Sequence, residues 1–175
     1  FFLSSNEDNW IIRDIMEIRT ATIADLAQIA AVEAECFPAA EAATKEEFAE
    51  RIKYYGNHFW LMFEGEKLIA FVDGFVTDKP DLTDVMYERA EMHDENGAWQ
   101  MIFGVNTIPA YRKHGYAGQL LQCAIEDARK QGRKGLVLTC KEKLIAYYAK
   151  FGFVNEGISE SVHGNVIWYQ MRYKF

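Results

Sequence analysis

The chain has 175 residues, half of them hydrophobic, which is enough for one domain with a complete core. A formal net charge of −7 argues against nucleic acid or an anionic membrane surface as the main partner. The apolar runs are too short to cross a membrane, and residues 1–10 lack the basic start and apolar block of a signal peptide.

The cysteines and histidines show no pattern of a redox or metal site. Cys36, Cys123 and Cys140 are widely spaced and form no Cys-x-x-Cys pair, as expected of reduced thiols in the cytoplasm. The four histidines show no metal-ligand spacing. The sequence therefore predicts a cytoplasmic protein without a bound metal.

Sequence patterns divide the chain into an N-terminal extension, residues 1–15, and a single domain, residues 16–175. Thr44 and Glu47 form a capping box at the start of one predicted helix, and Gly132 stands where a helix-ending glycine is expected. The predicted strands cover residues 16–21, 58–63, 67–76, 99–105, 135–140, 153–158 and 166–173. The predicted helices cover residues 22–36, 44–55, 117–131 and 142–150.

Residues 78–95 are rich in acidic side chains, and two interpretations of this stretch stay open. The first is a solvated loop with a short helix near residues 82–90. The second is a surface that attracts an ammonium substrate.

Residues 99–119 combine a strand, a glycine-containing turn and the start of a helix. The apolar run from Trp99 to Val105 predicts a buried strand, and a helical pattern begins after Arg112 and Gly115. The first amides of a helix have no partner within it, and the helix dipole favours negative charge there, so such a turn is suited to a diphosphate. An ordinary strand-to-helix turn is the alternative.

A second buried strand, residues 135–140, follows the helix that starts in this turn. A continuous apolar run is typical of a strand covered on both faces. A crossover helix between two strands of one sheet makes them parallel. We therefore expect residues 135–140 to pair in parallel with the strand at 99–105.

Two patterns in these elements resemble the GNAT acetyltransferases. Residues 111–118, Tyr-Arg-Lys-His-Gly-Tyr-Ala-Gly, match the family's R-x-x-G-x-G/A pattern, and residues 148–153, Tyr-Ala-Lys-Phe-Gly-Phe, match its Y-x-K-x-G-F ending. Residues 36–44 and 140–148 resemble the arylalkylamine N-acetyltransferase branch, which includes serotonin N-acetyltransferase. The order of elements fits this family from about residue 16 onward.

The resemblance implies an α/β (α+β) fold with a mixed, mostly antiparallel central sheet of about seven strands, a splayed parallel central pair and about four flanking helices. It also implies acetyl-CoA as the co-substrate. By resemblance, the backbone of Phe103, Gly104 and Val105 would pair with the pantetheine arm. The turn and the helix start would hold the diphosphate, through Arg112, Lys113, His114, Gly115, Tyr116, Ala117 and Gly118.

Catalysis by resemblance needs no nucleophilic cysteine, because the family transfers the acyl group directly within a ternary complex. Tyr148 is the candidate general acid for the leaving thiolate, since the motif places its hydroxyl beside the CoA sulfur. His163 lies at a predicted turn between the last strands, and an ordinary imidazole pKa of about 6.5 suits a general base.

The amine site is implied by the same resemblance. Phe37 and Pro38 would line it, because the arylalkylamine branch uses its Phe-Pro loop in this way. Vertebrate enzymes of that branch carry two histidines on the central strand. The matching positions here are Trp99 and Met101, which we assign to the substrate site although neither can act as a base.

The predicted function is therefore the acetyl-CoA-dependent acetylation of a primary amine, with a small arylalkylamine as the first choice. One alternative is acetylation of a polyamine, an aminoglycoside or a protein N-terminus. Another is a non-catalytic acyl-CoA-binding sensor module. The predicted partner is a small amine rather than nucleic acid or a membrane, and exposed strand edges make a homodimer plausible.

Overall fold

The computed structural model describes residues 16–175, which form nine β-strands and five α-helices. The strands are β1 (Met16–Arg19), β2 (Phe59–Glu64), β3 (Lys67–Asp73), β4 (Val76–Thr77), β5 (Trp99–Ile102), β6 (Gly104–Thr107), β7 (Gly135–Cys140), β8 (Val154–Ile158) and β9 (Tyr169–Lys174). The helices are α1 (Leu26–Cys36), α2 (Lys45–Tyr55), α3 (Val85–Glu88), α4 (Tyr116–Lys130) and α5 (Ile145–Ala149). The predicted extension, residues 1–15, lies outside the described part of the chain.

The described strands form two hydrogen-bonded sheets rather than the single sheet of about seven strands that was expected. One sheet has the order β1-β2-β3-β6 and is antiparallel throughout. The other has the order β4-β5-β7-β9-β8, in which only β5 and β7 run parallel. The predicted mixed α/β class and the parallel pair around a crossover helix are confirmed.

The prediction of one continuous strand over residues 99–105 is wrong, because the chain changes partner at Phe103. Before this residue β5 pairs with β7. At the change, the Phe103 amide donates to the Asp73 carbonyl at 2.7 Å. After it, β6 pairs with β3. The two sheets therefore diverge between β6 and β7, and this divergence opens the space for the site.

Local sequence signals set the limits of the helices around that opening. Thr44 accepts a hydrogen bond from the Glu47 amide at 3.1 Å, and Glu47 accepts one from the Thr44 amide at 2.9 Å, as the predicted capping box requires. Gly132 follows the end of α4 with φ 78°, a left-handed conformation that glycine adopts without a Cβ clash. The buried face of α4 is Leu120, Leu121, Ala124, Ile125 and Ala128.

The core lies between the sheets and the helices and is rich in aromatic rings. Phe48 and Tyr55 of α2 are fully buried, as are Phe59 of β2 and Phe71 of β3. Phe48 meets the Phe71 ring edge-on at 5.8 Å. Burying each such side chain contributes about 1.5–3 kcal/mol, so the core holds α2 firmly against the first sheet.

The acidic stretch at residues 78–95 contains the predicted short helix, and attraction of an ammonium substrate stays a prediction. Leu82, Met86 and Ala90 are buried, and α3 lies within the predicted short helix. Asp84 and Glu88 instead face the cavity described below. No helix among residues 16–175 is long and apolar enough to span a membrane.

Candidate active site

A cavity of about 340 Å³ lies where the two sheets diverge. Its walls come from α1, α2, α3, the ends of β5 and β7, and the start of β6. Among the described residues, six side-chain carboxylates line it: Glu33, Glu41, Glu47, Asp73, Asp84 and Glu88. The cavity is therefore suited to a cationic guest.

Glu33 lies on the buried face of α1, where its side chain reaches the cavity. Its Oε2 accepts a hydrogen bond from the Ala43 amide at 2.8 Å, and its Oε1 accepts one from Asn106 Nδ2 at 3.1 Å. Burial raises the pKa of Glu33 to about 7, although these two hydrogen bonds oppose the rise. Glu33 can therefore release and accept a proton near neutral pH.

Arg51 and Asp73 form a buried ion pair in the cavity wall. Arg51 Nη1 donates to Asp73 Oδ2 at 3.1 Å, and Nη2 donates to the Tyr87 carbonyl at 3.1 Å. Burial raises the pKa of Asp73 to about 6, and the charge of Arg51 works against that rise. The guanidinium also lies 5.4 Å from the centre of the Phe103 ring, so its position is fixed on several sides.

Tyr148 lies in α5 between this cavity and a second, wider groove. Only 7% of the residue is exposed. Burial raises the pKa of its hydroxyl far above the ordinary value, so the group keeps its proton at any physiological pH. The hydroxyl is therefore protonated, as a general acid must be before it acts.

His163 lies in a short 3₁₀ segment between β8 and β9 and lines the cavity. Its Nε2 donates to the Glu41 carbonyl at 2.8 Å, because a carbonyl oxygen can only accept. The ring stacks on Tyr87 with centroids 5.6 Å apart. In the neutral imidazole this arrangement leaves the lone pair on Nδ1.

The second groove, of about 620 Å³, runs from the cavity to the start of α4. Lys113 and Gly115 both have left-handed backbones there, with φ of 70° and 78°. This turn exposes the first amides of α4, a helix of 15 residues. Predicted groove residues that line it are Val105, Arg112, Lys113, Gly115, Tyr116 and Ala117.

The backbone of β6 offers a further row of polar groups to the groove. The Ile108 amide donates to the Ile69 carbonyl at 3.0 Å. In an antiparallel ladder, alternate residues bond to the neighbouring strand. The amide and carbonyl of Val105 therefore point away from β3, into the space between the sheets.

The structure brings most of the sequence-predicted site residues to these two spaces. Phe103 and Gly104 line the cavity with His163, and Pro38 lines the groove. The residues shared by both spaces are Phe37, Val105, Leu144, Tyr148 and Trp168.

Four predicted positions line neither the cavity nor the groove. Met101 is fully buried in the core, and Trp99 packs under the Arg172 guanidinium, 4.6 Å from its ring centre. Their assignment to the substrate site is wrong, because β5 turns both side chains into the packed interior. His114 is exposed beside Tyr116. Gly118 is buried in α4 and faces Phe151, whose ring would lie 3.0 Å from an added Cβ.

Three residues of the cavity were missed by sequence reasoning: Glu33, Arg51 and Asp73. A carboxylate on the apolar face of a predicted helix was the available signal for Glu33, since charged residues are seldom fully buried without a partner. Arg51 and Asp73 are 22 residues apart. Nothing in the local pattern indicates that they meet.

His58, His93 and Glu95 form the one group of described residues whose ligand atoms are close enough to share a metal ion. The Val76 amide donates to His93 Nδ1 at 3.0 Å, which places the ring proton on Nε2, the nitrogen that faces Glu95. Arg133 pairs with the Glu95 carboxylate at 3.1 Å. These contacts suit an ion-pair cluster better than a metal centre, and the absence of a metal stays a prediction.

A statistical model of the Acetyltransferase (GNAT) family matches residues 26–153 of this chain. The loading GNATL domain of CurA from Lyngbya majuscula has a similar fold, with a TM-score of 0.79 at 16% identity over 91% of this chain and 97% of that chain. The GphF GNAT-like decarboxylase in complex with isobutyryl-CoA gives a TM-score of 0.78 at 21% identity, over 90% and 98%. The ribosomal-protein-S18-alanine N-acetyltransferase from Escherichia coli gives 0.68 at 18% identity, over 91% and 93%.

Proposed function

This chain belongs to the GNAT acetyltransferase family, and from that membership we propose that it transfers an acetyl group from acetyl-CoA to the primary amine of a small molecule. The carboxylate-lined cavity around Glu33 carries this proposal, because it combines attraction for an ammonium ion with a base of suitable pKa.

The groove supports acetyl-CoA as the donor. Amides at the start of α4 suit a diphosphate, and the left-handed backbone of Gly115 keeps that turn open. The outward backbone groups of Val105 suit an extended amide chain such as pantetheine. Bound acetyl-CoA would supply the reactive thioester.

Glu33 takes the role of general base in this proposal. An amine dissolved near pH 7 is mostly protonated and has no lone pair with which to attack. Glu33 accepts that proton because its pKa of about 7 leaves a substantial fraction ionised. His163, the base suggested by the sequence, remains the alternative through its Nδ1 lone pair.

Tyr148 acts at the other end of the transfer. The amine nitrogen forms the new bond to the acyl carbon as the carbon–sulfur bond breaks, and Tyr148 gives its proton to the departing sulfur. The second proton lost from the nitrogen restores the Tyr148 hydroxyl, and the proton on Glu33 goes to solvent, so the balance is an acetamide, a thiol and one released proton. Cys36 and Cys140 need no covalent role, and burial raises the pKa of both thiols, which keeps them protonated.

Aromatic side chains support an acceptor with a flat apolar body. Phe37, Tyr87, Phe103 and Trp168 line the cavity together with the carboxylates. A small arylalkylamine satisfies both features. Polyamines, aminoglycosides and peptide N-termini use the carboxylates but not the rings, and they are the alternative acceptors. Cytoplasmic location and homodimer formation stay predictions.

An amine panel with acetyl-CoA tests the proposal through the release of free thiol. Tryptamine and phenethylamine should give the highest kcat/KM, and spermidine or an alanine peptide should be weaker. Binding of CoA without turnover on any amine would contradict the proposal and indicate a sensor module. Malonyl-CoA belongs in the same panel, because decarboxylation without an amine would indicate the chemistry named for GphF.

A further inference from the structure

Asn106 lies in the middle of β6, and only 1% of it is exposed. Its Nδ2 donates to Glu33 Oε1 at 3.1 Å. Its Oδ1 is buried and has no hydrogen-bond partner among the described residues. A buried amide with one unsatisfied atom costs stability that a leucine of similar size would not cost, so its presence needs another reason.

The partners of Glu33 suggest that reason. One carboxylate oxygen is held by a backbone amide, that of Ala43. The other is held by Asn106, the only side chain that hydrogen-bonds Glu33 within residues 16–175. The two contacts come from different parts of the fold, the loop after α1 and the strand β6, and each holds one oxygen of the carboxylate.

We propose that Asn106 is a positioning residue for Glu33, which holds the carboxylate in place and stabilises its charged, proton-accepting form. The inference rests on the proposed role of Glu33 as the base. Asn106 lines the groove but not the cavity, so it does not contact the amine and acts on it through Glu33.

Other charged groups also change the pKa of Glu33, so they act together with the loss of the Asn106 hydrogen bond. Asp73 approaches from β3 and disfavours a second negative charge, whereas Arg51 approaches from α2 and favours it. A hydrogen bond to the charged form lowers a carboxyl pKa, so its loss raises that pKa. The other titratable groups of the cavity wall are Glu41, Glu47, Asp84, Tyr87, Glu88, Cys140, Tyr148 and His163.

The test compares Asn106→Leu and Asn106→Asp with the wild-type enzyme. In a plot of kcat/KM against pH, activity rises on the acid side as Glu33 ionises. In Asn106→Leu the midpoint of that rise, the acid limb, should move to higher pH by about one unit, since Glu33 then needs a higher pH to ionise. Asn106→Asp should move it further, because it adds a carboxylate beside Glu33. Raising the pH should restore most of the Asn106→Leu activity. Thr77→Val alters a buried polar side chain that lines neither the cavity nor the groove, so it should leave the pH profile unchanged.

Carbon NMR titration of the Glu33 carboxyl provides a readout that does not depend on turnover. The resonance is assigned by its loss in Glu33→Gln, and its midpoint should rise in Asn106→Leu. A lower melting temperature with an unchanged midpoint and an unchanged limb would overturn the inference, because Asn106 would then be merely structural. Absence of turnover in the wild type would overturn the proposed function, and the NMR midpoint would still decide the contact with Asn106.

Discussion

At the scale of single residues, Glu33 carries a charge that the fold does not favour. The side chain is 6% exposed, and burial raises its pKa from an ordinary 4.5 to about 7. The folded state therefore binds an extra proton between these two pH values, and ionising Glu33 above them costs stability. In the proposed function this lost stability accompanies a carboxylate that can accept a proton near neutral pH.

Replacement of Glu33 by Gln should make the protein more stable at pH 8. The free energy of unfolding of the wild type should fall as pH rises from about 4.5 to about 7, and Glu33→Gln should remove much of that slope, a gain of about 1–3 kcal/mol at pH 8. Chemical denaturation at pH 5 and pH 8 measures both values. Equal or lower stability of the variant at pH 8 would show that Glu33 is not a destabilised charge.

Replacement of Tyr148 by Phe should separate turnover from binding. The ring and its packing are kept, but the proton for the leaving sulfur is lost, so kcat should fall by about 10²-fold or more. The dissociation constant for acetyl-CoA should stay within a factor of about two, since the loss is confined to the transition state. Steady-state kinetics and calorimetry give the two numbers, and an unchanged kcat would remove Tyr148 from the mechanism.

Sequence reasoning identified Tyr148 but missed Glu33. Tyr148 stands in a pattern of fixed spacing, Tyr-x-Lys-x-Gly-Phe, which can be recognised in the sequence as a family motif. Glu33 fits an ordinary helical period, and its chemistry arises only because Asn106 and Ala43 come from distant parts of the chain. The error at Trp99 and Met101 has a related cause, because β5 turns those side chains into the core.

At the scale of secondary-structure elements, the turn before α4 decides whether the groove can hold a diphosphate. Gly115 is the residue before the helix and has φ 78°, and no atom lies within 4 Å of a Cβ added there. An alanine at this position would meet only the conformational cost of a left-handed backbone, about 1 kcal/mol. A loss of acetyl-CoA affinity larger than this cost would then come from a change in the shape of the turn.

Gly115→Ala should weaken acetyl-CoA binding several-fold while leaving the KM for the amine unchanged. Gly132→Ala is the matched control, because Gly132 also has φ 78° and open space, but lies at the opposite end of α4. Both variants should lose similar stability by thermal melting. Equal acetyl-CoA affinities of the two variants by calorimetry would place the diphosphate elsewhere.

Element limits followed the sequence closely where local signals existed. The capping box at Thr44 and the terminal glycine of α4 lie where the sequence predicted them. The change of partner at Phe103 has one local signal, the adjacent Gly104, a residue type that permits an irregular strand, but no proline marks its position. At the split the Phe103 amide bonds to the Asp73 carbonyl, a contact between strands that are distant in the sequence.

At the scale of the whole molecule, the two spaces between the sheets differ in charge. The cavity wall carries six carboxylates, of which Asp73 is paired with Arg51 and Glu41 with Lys141. The groove wall carries Arg112, Lys113, Lys141 and Lys143. An amine and a polyanionic donor would therefore be drawn to opposite ends of one continuous opening, although the chain as a whole is negative.

Raising the ionic strength should lower the kcat/KM for a cationic amine at saturating acetyl-CoA. Salt screens the attraction between the ammonium and the carboxylates, so a several-fold decrease is expected between about 20 and 200 mM. Glu88→Gln, which removes an exposed carboxylate at the cavity, should reduce this salt dependence. A kcat/KM that does not respond to salt would argue that these carboxylates do not guide the amine.

Mass-spectrometric detection of the N-acetylated amine tests whether the protein is an amine acetyltransferase that depends on Glu33, with wild type and Glu33→Gln assayed in parallel on acetyl-CoA and tryptamine. Thiol and acetamide should appear in equal amounts in the wild type and only when the amine is present. In Glu33→Gln both should appear at least about 10²-fold more slowly near pH 7. Thiol release without acetamide, or a fully active Glu33→Gln variant, would contradict the proposed function.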